Sequence, residues 1–423
     1  MIRSPTLDRP ARRRLTRSGA AGLQAVGVPV LSVLVSLVAV RAAGVDAWGS
    51  FVGAMVLVQL SAQIADFGSR DSLVRAFSRE PGAVTVAWRC AAASRVPLLA
   101  IGPLLFLAAG NDLATVSVMV VWLLGLFVAR LHEGMVTYRR AFGFAVGVEA
   151  VAGVGTLLLV LAGRGSLAVP LLLAIFAAMA WLRAGLLAWR MGVLRRGPGW
   201  HPSIGELRRS WPFFGLTFGG ALQSRVDLYV VAVVLPAELL GTYQVLTSFV
   251  LLVQSLAGAL AGPVVPALYR LPRAGVLRGT RRLGLAGVGV ATAGAAGTWL
   301  AMTWLYHLSV DAPTMVAAWV AMLPAFWYLA LIHLAFREGD ERVVLVATLT
   351  GIAIAGLGAT LLIPVAGLTG AMGAAAVAQV AILAIHAGRT AWRGGRAGSE
   401  TAPDLLPEGD ALERGLTHAL SDV

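Results

Sequence analysis

Lysine is absent from this 423-residue chain, so all 34 of its basic residues are arginine. Cysteine occurs once, at Cys90, which excludes an intramolecular disulfide and a cysteine-based metal cluster. Charge is scarce too: 13% of residues are charged, against roughly 25% in soluble domains. There is no HExxH, no P-loop, no Gly-x-Ser-x-Gly and no aspartate pair at glycosyltransferase spacing. No enzyme site is therefore legible, and the sequence implies no catalytic residue, no metal and no cofactor.

What fills the chain is apolar. Hydrophobic residues make up 58% of it and glycines number 49, with a mean hydropathy of +0.80. The fold class predicted is an all-α polytopic membrane protein, its small residues suited to close helix packing in lipid. A net charge of +13 in a soluble chain would suggest nucleic acid binding. Here the arginines lie between apolar runs, and no nucleic acid partner is implied.

Runs of roughly 20 apolar residues can cross the hydrocarbon core as helices. Twelve are predicted, near 19–41, 47–68, 86–109, 113–133, 142–162, 167–188, 211–235, 238–262, 283–305, 313–336, 343–363 and 367–388. Arg89 and Arg95 make the third the weakest. Arginines cluster in alternate connections, as in Arg70, Arg75 and Arg79, or Arg139 and Arg140. The intervening loops are short and hold Arg41 with Asp46, Asn111 with Asp112, Arg164, Glu238 and Asp311. The positive-inside rule then puts both termini in the cytoplasm and the chain in the plasma membrane. Trp48, Trp189, Trp211 and Trp304 fit interfacial belts.

The organisation expected is a basic arm (1–18), a six-helix bundle (19–188), a linker (189–210) containing Gly197-Pro198-Gly199, a second six-helix bundle (211–388) and a disordered cytoplasmic tail (389–423). A repeat supports two halves. Gly49-Ser50-Phe51 aligns with Gly241-Thr242-Tyr243, each after a short acidic turn and each opening the second span of its half. Like topology in both halves implies a pseudo-twofold axis along the membrane normal.

Ionisable residues inside spans are functional candidates. Arg225 and Asp227 sit inside span seven. Two positions apart, they point about 200° from each other on a helix, so at least one needs a cavity or a distant partner. Glu149 in span five has no local partner; it is protonated, paired with Arg225, or part of an ion-coupling site. Arg95 either lines a cavity or snorkels to the surface. Arg130, His132 and Glu133 read as interfacial. The stretch QIADFGSRDSLVR (63–75) reads as the inner end of span two and a cytoplasmic turn, with Gly68-Ser69 permitting a bend. Under the repeat, Asp66 and Arg75 fall on Gly258 and Ala267, so these charges are not needed merely to build the fold.

Three segments carry a family resemblance: GLQAVGVPVLSVLVSLVAVRAAGVDAWGSF (22–51), LSAQIADFGSRDSLVR (60–75) and SRVDLYVVAVVLPAELLGTYQVL (224–246). They resemble the polysaccharide/oligosaccharide (lipid-linked repeat-unit) flippase family of the multidrug/oligosaccharidyl-lipid/polysaccharide exporter superfamily. The resemblance implies two pseudo-symmetric six-helix bundles around a cationic cavity. It implies alternating-access movement of an undecaprenyl-diphosphate-linked glycan, with membrane lipids and polysaccharide assembly proteins as further partners. Asp66, Gly68, Arg75, Arg225 and Asp227 match family positions. Candidate substrate-binding residues are thus Arg225, Asp227, Arg95, Arg75 and Asp66, and the ion-coupling candidate is Glu149. Related lipid II flippases have fourteen spans, which argues against that subgroup.

Four alternatives stand beside this. A major-facilitator porter would need its own charged turn, but Ala62 stands for the first glycine, Phe67 for the basic residue, and Gly68 comes one position early. A drug/cation exporter of the same superfamily and a membrane scaffold of a glycan assembly complex are the second and third. A membrane glycosyltransferase or ligase is the fourth, and the lack of a long outer loop counts against a ligase.

Overall fold

Proline or a left-handed residue marks most helix breaks. The computed structural model describes residues 27, 29–192, 198–261, 265–269 and 271–397. The expected basic arm lies outside them. Helix α1 (Pro29–Ala43) passes through Gly44 into α2 (Val45–Asp66). Next come α3 (Ser69–Arg79) and α4 (Val84–Arg95), which continues through a 3-10 turn containing Pro97 into α5 (Ile101–Ala108). Helices α6 (Leu113–Tyr138), α7 (Phe142–Ala162) and α8 (Val169–Met191) complete the first half.

The second half begins with α9 (Ile204–Gln223) and α10 (Val226–Val234), which together make one crossing. Helix α11 (Ala237–Ala261) and the short α12 (Val265–Leu268) precede α13 (Arg273–Leu300), whose end widens into a π turn, Ala301–Tyr306. Helices α14 (Ala312–Met322) and α15 (Ala325–Arg337) are separated by Pro324, which lacks an N–H and frees a carbonyl upstream. The Gln254 side-chain amide donates to Ala321 O there at 3.0 Å. Helix α16 (Glu341–Ala397) reverses at Gly367, where φ is 54° and ψ is −129°. Its two arms lie antiparallel: Gly351 faces Ile382, and Gly358 faces Ala374. α16 therefore supplies the last two crossings. Residues 389–397, expected as tail, continue its second arm; the rest of the expected tail lies outside the described residues. Among the described residues, nine helical runs are long and apolar enough to cross a membrane. The fold of α16, the shorter α1 and the α9–α10 pair bring the crossings to the expected twelve.

The repeat lies where the halves meet. Helices α2 and α11 cross, and Gly49 packs directly on Gly241. A Cβ built at Gly49 would stand 1.7 Å from Ala237 O, and one at Gly241 would stand 2.5 Å from Val45 O. Only glycine lets the two backbones approach this closely. Nearby, Trp48 Nε1 donates to Gln244 Oε1 at 3.0 Å. Trp48 is thus buried and packed on Phe51, not at an interface as expected, whereas Trp189, Trp211 and Trp304 are exposed.

One apolar cluster spans both halves and gathers the arginine-poor ends of α6, α8, α11 and α13. Toward the basic face the core divides. Trp88, Leu131 and Met135 belong to a cluster confined to the first half, and Val276 and Leu334 to one confined to the second. The molecule is therefore closed by packing at its arginine-poor end.

Gly49→Leu should prevent the α2–α11 approach and cost at least about 2 kcal/mol by overpacking. Gly53→Ala, whose added methyl would meet only Leu240 at 3.7 Å, should be tolerated. Thermal unfolding of both variants in detergent checks this; equal melting temperatures would refute the packing argument.

Candidate functional site

The α9–α10 crossing is broken at its middle. Arg225 has φ −145° and ψ 2°, outside the helical range, and serves as the N-cap of α10. Irregular backbone at this depth is tolerated where it is buried in protein or lines a cavity. Two cavities flank the break. One, of about 330 Å³, lies mainly in the first half where it meets the second, and is lined by Trp48, Gln59, Glu149, Arg183, Arg225 and Gln244 among others. The second, of about 320 Å³, lies in the other half and is lined by Gln223, Arg225, Asp227, Gln254, Tyr328 and Gln379 among others. Arg225 lines both. No hydrogen bond or ion pair joins its side chain to another described residue.

The break removes the helical-wheel opposition expected of Arg225 and Asp227. Asp227 lies in the first turn of α10 and accepts a hydrogen bond from Tyr243 Oη at 2.5 Å. Tyr243 is the aromatic residue of the repeat.

Glu149 has a partner that the sequence reading missed. Its Oε1 is ion-paired with Arg183 Nη2, which also lies 3.7 Å from Glu133. Arg183 sits inside span six, so its intramembrane position was the signal. Arg130, read as interfacial, is half-buried and bonds Gln63, because α6 runs on to Tyr138. His132 is fully buried against Trp88. Among the described residues, the charged groups lining the two cavities are Arg183, Arg225, Glu149 and Asp227. Their formal charges cancel, whereas a cationic cavity was expected; both carboxylates hold a hydrogen bond or an ion pair, while Arg225 holds neither and meets Asp227 only through longer-range attraction.

Arg95 lines neither cavity. It is 0% exposed, so it does not snorkel either. Its Nε donates to Asp66 O at 2.9 Å, its Nη1 to Ala91 O at 3.0 Å and its Nη2 to Ser210 Oγ at 2.7 Å. Glu206 lies 3.8 Å from its Nη1. A five-donor fork suits such a junction, and this one clasps the ends of α2 and α4 to the start of α9.

That start falls within the expected linker, since α9 opens at Ile204. Its side chains Trp211 and Phe214 pack on Phe67.

The stretch 63–75 is not a simple turn. Phe67 and Gly68 take left-handed φ values of 46° and 65°, and the chain then re-enters helix as α3. Gly68 lies against α9, where a Cβ would stand 2.4 Å from Phe214 N. Asp66 is buried and accepts from Ser69 Oγ. Helix α3 buries Leu73 and Phe77 and exposes Arg70, Asp71 and Arg75. Arg75 and Asp66 line neither cavity, although Asp66 interacts electrostatically with Arg130 and Glu133, which also interact with the cavity-lining Arg183.

No protein-family profile matches the chain, and no curated protein matches it. Solved structures do. The lipid II flippase MurJ, in an inward closed conformation, superposes with a TM-score of 0.70 at 11% identity, covering 87% of this chain and 87% of that one. An inward-facing multidrug resistance MATE family transporter of the MOP superfamily gives 0.54 at 12% identity, covering 90% and 100%. The MATE multidrug transporter DinF-BH gives 0.55 at 15% identity, covering 93% and 98%. The chain has the fold that these MOP-superfamily proteins share. The span count expected to separate it from lipid II flippases leaves 87% of each chain in common.

Arg183→Gln should strand Glu149 and Glu133 and cost about 2 kcal/mol. Adding Glu149→Gln should recover part of that loss. A double-mutant cycle on thermal stability measures the coupling, and strictly additive losses would refute the pair. Arg95→Gln should cost about 3 kcal/mol, because carbonyls and a carboxylate lose their buried donor; an unchanged melting temperature would refute the clasp.

Proposed function

We propose that this chain is a plasma-membrane transporter, not an enzyme. It moves a lipid-linked oligosaccharide of the undecaprenyl-diphosphate type from the cytoplasmic to the outer leaflet, for cell-surface polysaccharide biosynthesis. Both termini are cytoplasmic, and its partners are the lipid-linked glycan, membrane lipids and polysaccharide assembly proteins.

The observation that carries this reading is Arg225. Its guanidinium stands on the wall between two cavities without a hydrogen bond to another described residue. Asp227 offsets its charge from a distance, but the donors of the guanidinium stay without acceptors, which is costly inside a membrane protein. A diphosphate would answer it, because the planar fork of arginine bonds phosphate oxygens in pairs.

The lipid tail stays in the bilayer while the sugar passes through the cavities. The apolar core is shared at the arginine-poor end and divided toward the basic face, where the halves meet instead through the Arg95 clasp and the packing of Phe67 on α9; on this reading, alternating access opens that junction. On this reading Arg75 meets the arriving diphosphate, and Asp66 and Arg95 hold the basic-side junction. Asp227 positions Tyr243 beside the break. Glu149, in its pair with Arg183, is the proposed coupling group.

The cavity carboxylates favour a second reading, export of an organic cation. Glu149 lines one cavity and Asp227 the other, and a cation would be drawn to either.

Reconstitution in proteoliposomes separates the two. Wild-type protein should change the accessibility of a fluorescent lipid-linked oligosaccharide to an external glycan-cleaving enzyme. Arg225→Ala should insert normally and reduce this at least about tenfold, the loss of one or more charge-assisted bonds. Arg225→Lys should recover only part. Normal translocation by the alanine variant would remove Arg225 from the mechanism. Failure of the wild type with this substrate, together with uptake of an organic cation that Asp227→Asn abolishes, would establish the second reading.

A further inference from the structure

The arginine-poor end breaks the charge rule twice, at Arg41 in the last turn of α1 and at Arg164 just after α7. These residues lie 123 positions apart in sequence, yet both line one groove of about 500 Å³ between α1, the end of α7 and the π turn after α13. Its floor is apolar, formed by Leu37, Val38, Leu161 and Leu305, and no acidic residue lines it. Leu161 and Leu305 are exposed, as is Trp304 beside them. Exposed tryptophan at a span end marks the headgroup depth of a bilayer.

Arg41 is held in place. Its Nε donates to Leu305 O at 2.5 Å and its Nη2 to Trp304 O at 3.3 Å. These are carbonyls of a helix end, which a basic side chain commonly satisfies. Capping accounts for Arg41 but not for Arg164, whose side chain has no hydrogen bond or ion pair to another described residue. Capping also leaves the Nη1 of Arg41 free. Two guanidinium groups at headgroup depth above an apolar floor match a phosphorylated lipid, with charge on the mouth and chain on the floor.

We propose that this groove binds the diphosphate of an isoprenoid lipid in the outer leaflet and is the site from which the translocated lipid is released. The proposal rests on the flippase reading and gives it an exit. The cavity at Arg225 holds the diphosphate midway, and Arg41 and Arg164 receive it at the far side. Two cations accept more of its charge than a single phosphodiester would offer, so the groove prefers a diphosphate lipid to an ordinary anionic phospholipid.

The test is photolabelling of the full-length protein in nanodiscs by a diazirine-bearing polyprenyl diphosphate, with labelled peptides identified by mass spectrometry. The expected result is label on peptides containing residues 37–42 and 161–164. Arg41→Gln and Arg164→Gln should each weaken this labelling about tenfold. Arg342→Gln, an exposed change at the basic face, should leave it unaltered. Unlabelled polyprenyl diphosphate should compete well, and phosphatidylglycerol poorly.

Absence of label at the groove, or label that persists in the double arginine variant, overturns the proposal. Equal competition by phosphatidylglycerol also overturns it and makes the groove a general anionic-lipid site. Failure of the flippase reading shows separately. Wild-type protein would then bind the probe at the groove yet move no lipid-linked oligosaccharide in proteoliposomes. If both hold, Arg225→Ala should abolish translocation and retain groove labelling.

Discussion

A charge or an open backbone group within hydrocarbon persists only where another group answers it. That constraint orders this molecule. A lysine-free chain meets it with guanidinium groups, whose several donors can satisfy several carbonyls at one junction. Arg95 does so for the ends of α2 and α4, and Arg41 for the π turn. On the basic side of the second half, Arg273, Arg389 and Arg393 share Glu338 and Asp340, tying α13, the α15–α16 connection and the second arm of α16 together. In each case arginine performs structural work at an end or a break.

Arg225 stands apart from that pattern, and the repeat shows how. At the constant shift that superposes Gly49 on Gly241, Arg225 and Asp227 fall on Val33 and Val35. The first half therefore builds its opening helix with valines and the second with an ion-bearing break. The same relation joins Phe51 to Tyr243. Phe51 packs in an aromatic cluster with Trp122 and Phe176, whereas Tyr243 turns its hydroxyl to Asp227. Symmetry supplies the frame, and departures from it supply the chemistry. This gives a physical basis for placing the candidate site in the second half of the repeat.

The spans were legible because lipid imposes a length and a hydropathy on each crossing, and prolines marked where runs divide. The repeat was legible because close backbone contact admits almost no residue but glycine. Side-chain pairing was not. Glu149 had no partner within its own helix, and its counter-ion Arg183 lies on the next, a relation that depends on rotation about helix axes. Arg95 followed the same logic, for its carbonyl acceptors belong to helix ends fixed only in three dimensions. Helix α3 was hidden by its polar face, which reads as a turn when its buried residues, Leu73 and Phe77, are counted with the charges around them. The break at Arg225 was weakly signalled by Gln223 and Ser224, small polar residues in an apolar run.

The position of the glycine contact along its helices has a mechanical consequence. Gly49 lies one turn from the start of α2, so nearly the whole helix extends beyond it on one side. At 1.5 Å per residue, Asp66 is about 26 Å from that contact. A change of about 10° in crossing angle there sweeps the far end of α2 through roughly 4 Å, while the near end hardly shifts. The crossing is a fulcrum set close to one end of a lever, and the longer arm ends at the clasp formed by Arg95.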